Sequence, residues 1–121
     1  MIYNLKVLIK SLIFCITRPY SFNPWKKQLF FSNGVYYFSR FSRLHNYIRG
    51  TDERLKEVFD TYGIENNIIS SLGSKLIIDI GANIGEFSIA IRERAKFTGK
   101  IICIEPDPLE FETLKKNAEI F

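Results

Sequence analysis

The feature that most constrains the fold is a pair of apolar runs near the end of the chain. The first run, residues 76–80, leads into the glycine-rich segment 81–85 and a helix predicted from about residue 84 to residue 95. The second run, residues 101–105, ends in an acid and precedes a helix predicted to begin near Pro108. Runs of this kind are typical of parallel strands that are covered on both faces. The order therefore predicts an α/β fold with the first βαβα unit of a Rossmann-like sheet.

The turn after the first strand predicts a site for an adenosine-bearing cofactor. Gly81 permits a tight turn and leaves space for a ligand, and Gly85 lets the helix pack close to the strand. Amides at the helix start would then face the ligand. Glu105 ends the second strand about twenty residues later, where an acid can accept hydrogen bonds from both ribose hydroxyls. The alternative is an ordinary βαβ turn that binds no ligand.

The residue types within this turn favour S-adenosylmethionine over a dinucleotide. A dinucleotide fingerprint needs a second glycine where the pyrophosphate passes, and this chain has Asn83 there. S-adenosylmethionine has no pyrophosphate, but it carries an amino group. Asp79, at the end of the first strand, can order the loop or reach such a cationic group. An NAD-dependent enzyme stays open as the less favoured alternative.

The two segments together resemble the FkbM-type methyltransferases. Residues 78–85 read Ile-Asp-Ile-Gly-Ala-Asn-Ile-Gly, residues 104–107 read Ile-Glu-Pro-Asp, and Leu114 and Asn117 follow at the spacing typical of that family. A weaker resemblance covers roughly residues 28–75. The resemblance implies a class I methyltransferase fold and methyl transfer from S-adenosylmethionine to a hydroxyl oxygen of a sugar, a glycan or another metabolite.

The resemblance also implies the site residues. The methionine part of the cofactor would be lined by Asp79, Gly81, Asn83 and Gly85. Glu105 would bind the ribose, with Pro106 and Asp107 beside the adenine, and Ala82 is included as a cofactor-binding residue of the loop. It assigns no catalytic residue and no metal ligand. Because the family's domain continues with further strands, residues 76–121 are expected to be the start of a truncated methyltransferase domain. If these residues are the whole protein, weak or absent cofactor binding and no turnover are expected.

Residues 1–75 are predicted to be an N-terminal extension made of a helix, a hairpin and a second helix. Apolar residues recur at helical spacing in residues 2–16, and Arg18-Pro19 would end that helix. Residues 19–27 predict an irregular connection. A hairpin is predicted for residues 28–39, where Asn33-Gly34 would supply the two positive φ angles of a type I′ turn.

The second helix of this extension is predicted to start at Thr51 and Asp52, whose side chains can accept from the first-turn amides. Gly63 would end it. Its apolar stripe consists of Leu55, Val58, Phe59 and Tyr62.

Charge is distributed unevenly along the chain. The first 50 residues hold eight basic residues and no acid, whereas residues 51–121 hold nine basic residues and all thirteen acids. This asymmetry indicates an anionic partner for the N-terminal part, such as lipid headgroups, nucleic acid or a charged glycan, or else a basic surface that complements the acidic half. Residues 1–17 could form an amphipathic helix on a membrane surface or a helix docked on the domain.

The aromatic residues of this basic region allow two interpretations. They could stack on single-stranded nucleic acid, or they could form core, which is the favoured interpretation, so no specific nucleic acid is expected. The set is Trp25, Phe30, Phe31, Tyr36, Tyr37, Phe38 and Phe41. The runner-up function is accordingly a non-catalytic membrane-surface or anion-binding module.

The remaining signals concern compartment. Lys6 and Lys10 interrupt any apolar span long enough to cross a bilayer, and no signal-peptide cleavage site follows. Cys15 and Cys103 are interpreted as buried thiols in a reducing compartment, and His45 as a structural residue. The expected location is cytoplasmic, or on the cytoplasmic face of a membrane.

Overall fold

The computed structural model describes residues 2–63, 71 and 75–120 of the 121-residue chain. The chain packs as two compact units that divide between Arg54 and Leu55. The sequence instead predicts a boundary after residue 75. That boundary marks a different feature, the start of the regular β-α-β-α order. The elements are α1 (Ile2–Thr17), β1 (Phe22–Asn23), β2 (Gln28–Phe31), β3 (Gly34–Tyr37), a 3₁₀ helix (Phe41–Tyr47), α2 (Thr51–Thr61), β4 (Leu76–Ile80), α3 (Glu86–Ala95), β5 (Lys100–Ile104) and α4 (Pro108–Ala118). The protein is therefore a mixed α/β protein.

The core of the first unit forms where α1 packs against the 3₁₀ helix and the hairpin. Phe14, on the inner face of α1, is fully buried together with Leu29, Phe38, Leu44 and Tyr47. Three of the aromatic residues weighed as a stacking surface, Phe31, Tyr36 and Phe38, therefore pack inward, whereas Trp25, Phe30 and Phe41 are exposed.

The hairpin exists as predicted, but its turn does not. Phe31 pairs with Gly34, so the two loop residues are Ser32 and Asn33. Neither Asn33 nor Gly34 adopts a positive φ, and the predicted type I′ turn is wrong. The physical reason is a tertiary contact, because Asp52 Oδ1 accepts from Ser32 N at 3.1 Å and from Ser32 Oγ at 2.8 Å. This carboxylate fixes the turn more strongly than the local preference of Asn-Gly does.

The side chains at the start of α2 form hydrogen bonds with the hairpin rather than with the helix itself. Thr51 Oγ1 donates to the Phe30 carbonyl at 2.7 Å, and the Asp52 carboxylate accepts from Ser32. The prediction that these side chains cap the first-turn amides is therefore wrong. The predicted end is confirmed, since Gly63 has φ 58° and its N–H donates to the Asp60 carbonyl at 3.0 Å.

The apolar stripe of α2 is confirmed in part. Leu55, Val58 and Phe59 are buried, but Tyr62 is mostly exposed. The Tyr62 ring lies with its centroid 4.6 Å from that of Phe87. It therefore covers the start of α3 from the solvent side instead of entering the core.

A third strand, β1, lies in the segment predicted to be irregular. Phe22 pairs antiparallel with Leu29, and the Ser21 carbonyl accepts from Phe30 N at 2.9 Å. Two residues are too few to show the period-two pattern by which a strand is predicted. The chain then turns where Asn23 Oδ1 accepts from the backbone N–H groups of Trp25 and Lys26, each at 3.1 Å.

The second unit shows the predicted β-α-β-α order. Strands β4 and β5 are parallel and pair from Leu76 with Lys100 to Ile80 with Ile104. Helix α3 buries Ile91 against Phe97 and the sheet residues Ile77 and Ile101. Helix α4 is tied to the start of α3 by Asn117, whose Nδ2 donates to the Ile84 carbonyl at 2.7 Å. Arg92 of α3 and Leu114 of α4 line one cavity of about 310 Å³ together with Ile101 and Cys103, so α3 and α4 lie on one face of the sheet.

Among the described residues, no helix or strand covers the opposite face of this sheet, which is called the uncovered face below. Its five aliphatic side chains are between 37% and 79% exposed: Leu76, Ile78, Ile80, Ile102 and Ile104. Within the described residues, the prediction that both sheet faces are covered is wrong. The physical reason is that α3 and α4 pack on the same side of the sheet. An apolar strand indicates that both of its faces favour contact with other elements. The strand does not determine which elements make that contact.

No helix among the described residues is long and apolar enough to span a bilayer. The longest helix among the described residues, α1, has 16 residues. At 1.5 Å per residue it measures about 24 Å, less than the hydrocarbon core of roughly 30 Å.

The burial of matched isoleucines on the two sheet faces gives a first prediction. Ile91 is fully buried, whereas Ile80 is 79% exposed. Ile91→Ala should lower the free energy of unfolding by about 2–4 kcal/mol, because it leaves a cavity. Ile80→Ala should cost about 1 kcal/mol or less, mainly through lower strand propensity. Urea unfolding followed by circular dichroism measures both, and equal losses would contradict the uncovered face.

A second prediction concerns Gly99, which lies in a close approach before β5. A Cβ atom at this position would lie 2.3 Å from the Lys75 carbonyl oxygen and 2.3 Å from the Phe97 ring. Gly99→Ala should therefore destabilise the protein by about 1–3 kcal/mol. Gly34→Ala is the matched control, since a Cβ there meets no atom within 4 Å. The comparison needs only thermal unfolding, and an unchanged melting temperature for Gly99→Ala would refute the clash.

Candidate cofactor site

The candidate site lies where β4 and β5 end side by side. Residues 81–85, the glycine loop, leave β4 and immediately cross the end of β5. The N–H groups of Gly81 and Ala82 both donate to the Ile104 carbonyl, at 2.8 and 3.1 Å. A further bond within the loop, from Gly85 N to the Ala82 carbonyl at 2.8 Å, closes the turn into α3. The predicted strand–turn–helix geometry is therefore present.

Three left-handed residues shape the glycine loop. The φ angles are 76° at Gly81, 50° at Asn83 and 91° at Gly85. Glycine adopts these values without steric cost, and asparagine tolerates them better than most residues. A Cβ atom on Gly81 would meet nothing within 4 Å. Conformation rather than crowding thus requires glycine at position 81, and the space beside it is open, as the sequence predicted.

The Glu105 carboxylate joins the glycine loop to the segment after β5. Its Oε2 accepts from Asn83 N at 2.8 Å, and its Oε1 accepts from Asp107 N at 2.8 Å. A carboxylate has about four acceptor positions. Glu105 is half-buried and uses two of those positions on the backbone, so it keeps capacity for two further donors at the open side of the loop.

Asp79 lies on the helix-covered face of β4, and its exposed fraction is 9%. Ser88 Oγ donates to Asp79 Oδ2 at 3.1 Å and lies 3.2 Å from Cys103 Sγ. Burial raises the pKa of Asp79 above its ordinary value, the Ser88 hydrogen bond opposes that rise, and the charge of Glu105 adds to it. Burial likewise raises the pKa of the Cys103 thiol. Asp79 therefore links β4 to α3 from within.

Asp107 acts as the cap of α4. Its Oδ1 accepts from Leu109 N at 2.9 Å and from Glu110 N at 3.2 Å, and Pro108 occupies the first helical turn. Such a cap satisfies amides that the helix itself leaves unpaired. The neighbouring site residues divide by exposure, since Pro106 is exposed and Ala82 is buried.

The structure thus separates the predicted site residues into two groups. The open side of the loop holds Gly81, Asn83 and Glu105, which hydrogen bonds connect directly. Asp79, Ala82 and Gly85 are buried beneath it. Sequence reasoning missed Ser88, which is fully buried and orients Asp79. The available signal was a serine on the inner face of a helix that directly follows a strand with a buried acid.

Three further observations concern possible ligand-binding residues among the described residues. No group of three metal-ligating side chains occurs among the described residues. His45, the single histidine, hydrogen bonds through Nδ1 with the Ser42 carbonyl, as expected of a structural residue. The cavity of about 310 Å³ between α3 and α4 is lined by neither the glycine loop nor Glu105.

Comparison of the chain with protein-family models, with curated proteins and with solved structures found no significant match.

The buried carboxyl of Asp79 gives a third prediction. Because its pKa is raised in the folded protein, the folded state keeps the proton to higher pH than the unfolded state does. The free energy of unfolding should fall as pH rises from about 3.8 through the raised value, and Asp79→Asn should remove this fall. Urea unfolding at a series of pH values measures the difference between variant and wild type.

Ser88→Ala provides the companion test. It removes the hydrogen bond that favours the ionised form of Asp79. The pH window of the Asp79 effect should therefore extend further upward. A downward shift of that window would show that Ser88 does not stabilise the carboxylate.

Proposed function

We propose that residues 76–120 form the adenosine-binding half of an S-adenosylmethionine site, in a Rossmann-like class I methyltransferase fold of the FkbM type. The observation that carries the proposal is the position of Glu105. Its carboxylate is fixed by two backbone donors at the open end of the sheet, beside a glycine whose free side meets no protein atom. An ordinary βαβ turn needs neither feature.

The donor set fits the cofactor. The two free acceptor positions of Glu105 suit the two ribose hydroxyls, which are hydrogen-bond donors. The open space beside Gly81 would admit the chain that joins ribose and amino acid. Gly85 begins α3 without a side chain that could cap its first turn, so backbone amides there are suited to a carboxylate. Asp79, buried against Ser88, would hold the loop in place rather than touch the amino group.

The same loop disfavours a dinucleotide. Asn83 occupies the position of the second glycine, and its Nδ2 folds back to the Gly81 carbonyl at 2.9 Å. The side chain thus fills the place where a pyrophosphate would need to approach the backbone. This observation supports S-adenosylmethionine over NAD.

The chemistry that follows from the proposal is methyl transfer. S-adenosylmethionine supplies a methyl group on a sulfonium sulfur, which the hydroxyl oxygen of a sugar, glycan or other metabolite can take. The described residues would contribute binding and orientation, which lower the barrier by holding the reactants in line. None of them is assigned as the base that accepts the hydroxyl proton. We propose that methyl transfer occurs only where residues that bind the methyl acceptor are also present.

Calorimetric titration of S-adenosylmethionine into this chain tests the proposal and is the fourth prediction. Wild type should bind, and Glu105→Gln should bind about tenfold more weakly or worse, because an amide replaces one charged acceptor oxygen. Glu112→Gln is the matched control. Glu112 is exposed on α4 and pairs with Lys115 at 2.7 Å, a type of surface contact worth little.

The titration is interpreted against folding and against NAD. Circular dichroism must show that each variant is folded at the titration temperature. Binding that is equal in Glu105→Gln and wild type would refute the assigned role of Glu105. No binding by the folded wild type would refute the half-site, and tighter binding of NAD would favour the dinucleotide alternative.

A further inference from the structure

Helix α1 presents an aliphatic face to solvent. Its inner face packs through Phe14 and Ser11, which are buried. The outer face carries residues at the spacing of one helical stripe, and each is between 42% and 77% exposed: Leu5, Leu8, Ile9, Leu12, Ile13 and Ile16. Isolated exposed aliphatic residues are normal, but a continuous patch of this kind marks an interaction surface.

A groove extends this face toward the 3₁₀ helix. The groove has a volume of about 510 Å³ and is lined mainly by apolar side chains, among them Leu8, Leu12, Phe41 and Leu44. Ser11 also lines it, and Ser11 Oγ is buried without a hydrogen-bond partner among the described residues. An occupant that combines an apolar chain with an acceptor oxygen, such as an acyl ester, matches both properties.

The charged residues of α1, and of the first 50 residues as a whole, have one sign. Lys6 and Lys10 are exposed and lie one turn apart on the edge of the aliphatic stripe. No acid precedes Asp52 in the chain, and residues 1–50 hold eight basic residues. Such a surface attracts an anionic layer and repels a second copy of itself.

We propose that α1 docks in the plane of an anionic phospholipid bilayer, with its aliphatic stripe in the acyl region and its lysines at the headgroups. An in-plane helix of this kind needs a broad apolar face and a polar face that is rich in lysine or arginine. Helix α1 has both features. The inference is independent of the cofactor proposal, because every residue it uses lies in the first compact unit.

The exposed aromatic residues of the same unit agree with this partner. Tyr20 and Trp25 are 93% and 95% exposed in the connection after α1. Tryptophan and tyrosine are the residues that favour the boundary between lipid and water. Trp25 is also the single tryptophan of the chain, so its fluorescence reports one known position.

The fifth prediction is a vesicle-binding experiment on the full chain. Wild type should sediment with vesicles of phosphatidylcholine and phosphatidylserine, bind much less to phosphatidylcholine alone, and lose binding as salt rises. The tryptophan emission should shift to shorter wavelength on binding.

Three double variants locate the contact. L5Q/I16Q, which removes exposed aliphatic residues outside the groove, should weaken binding by at least about tenfold, since apolar insertion drives it. K6Q/K10Q should weaken binding to the anionic vesicles by a similar factor, because each lysine near the surface contributes roughly fivefold. I78Q/I80Q is the matched control and removes two exposed isoleucines of the uncovered sheet face. It should bind like wild type.

Several results would overturn the proposal. Unchanged binding by folded L5Q/I16Q would exclude the aliphatic stripe, and equal weakening by I78Q/I80Q would show unspecific adhesion of apolar surface. Sedimentation equilibrium gives the third test: a wild-type dimer that L5Q/I16Q abolishes would mean that a second copy covers the stripe. Circular dichroism confirms that each variant is folded before its binding is compared.

Discussion

The glycine loop depends on one carboxylate. Glu105 accepts hydrogen bonds from the backbone on both sides of the sheet end, at Asn83 and at Asp107. Hydrogen bonds to a charged acceptor contribute about 1.5–3 kcal/mol each. They add to the backbone bonds of the loop, which has three residues in the left-handed conformation. The acid that the sequence suggests for a ligand therefore also builds the site, so the loop is ordered before anything binds to it.

The coarse architecture followed from periodicity. The β-α-β-α order from β4 to α4, the helix α1 and the hairpin are all marked by runs long enough to show a period. What could not be predicted depends on contacts between distant residues. The type I′ turn predicted at Asn33-Gly34 does not form, and the Asp52 carboxylate stabilises a different turn. Strand β1 is too short to show a period. Cover of a sheet face is likewise a property of neighbouring elements and not of the strand.

The predictable residues of the site were likewise those that local geometry fixes, and not those that depend on distant contacts. Gly81 and Glu105 were predictable because backbone geometry and spacing restrict which residues can occupy those positions. The side of the sheet on which Asp79 lies was not, because apolar residues surround it on β4 and no alternation indicates the buried face. Its partner Ser88 depends on that choice of face. The capping role of Asp107 did have a signal in the sequence, since Asp107 directly precedes a proline at a predicted helix start. Asp79 and Asp107, which the resemblance assigns to ligand contact, thus have hydrogen-bond partners within the protein.

The two compact units share one helix. The division between Arg54 and Leu55 falls inside α2, after its first turn. That turn supplies Thr51 and Asp52 to the hairpin, while the later turns bury Leu55, Val58 and Phe59. Starting a helix is the costly step of forming it. A cut at the division would therefore separate the turn of α2 that holds the hairpin from the turns that bury Leu55, Val58 and Phe59.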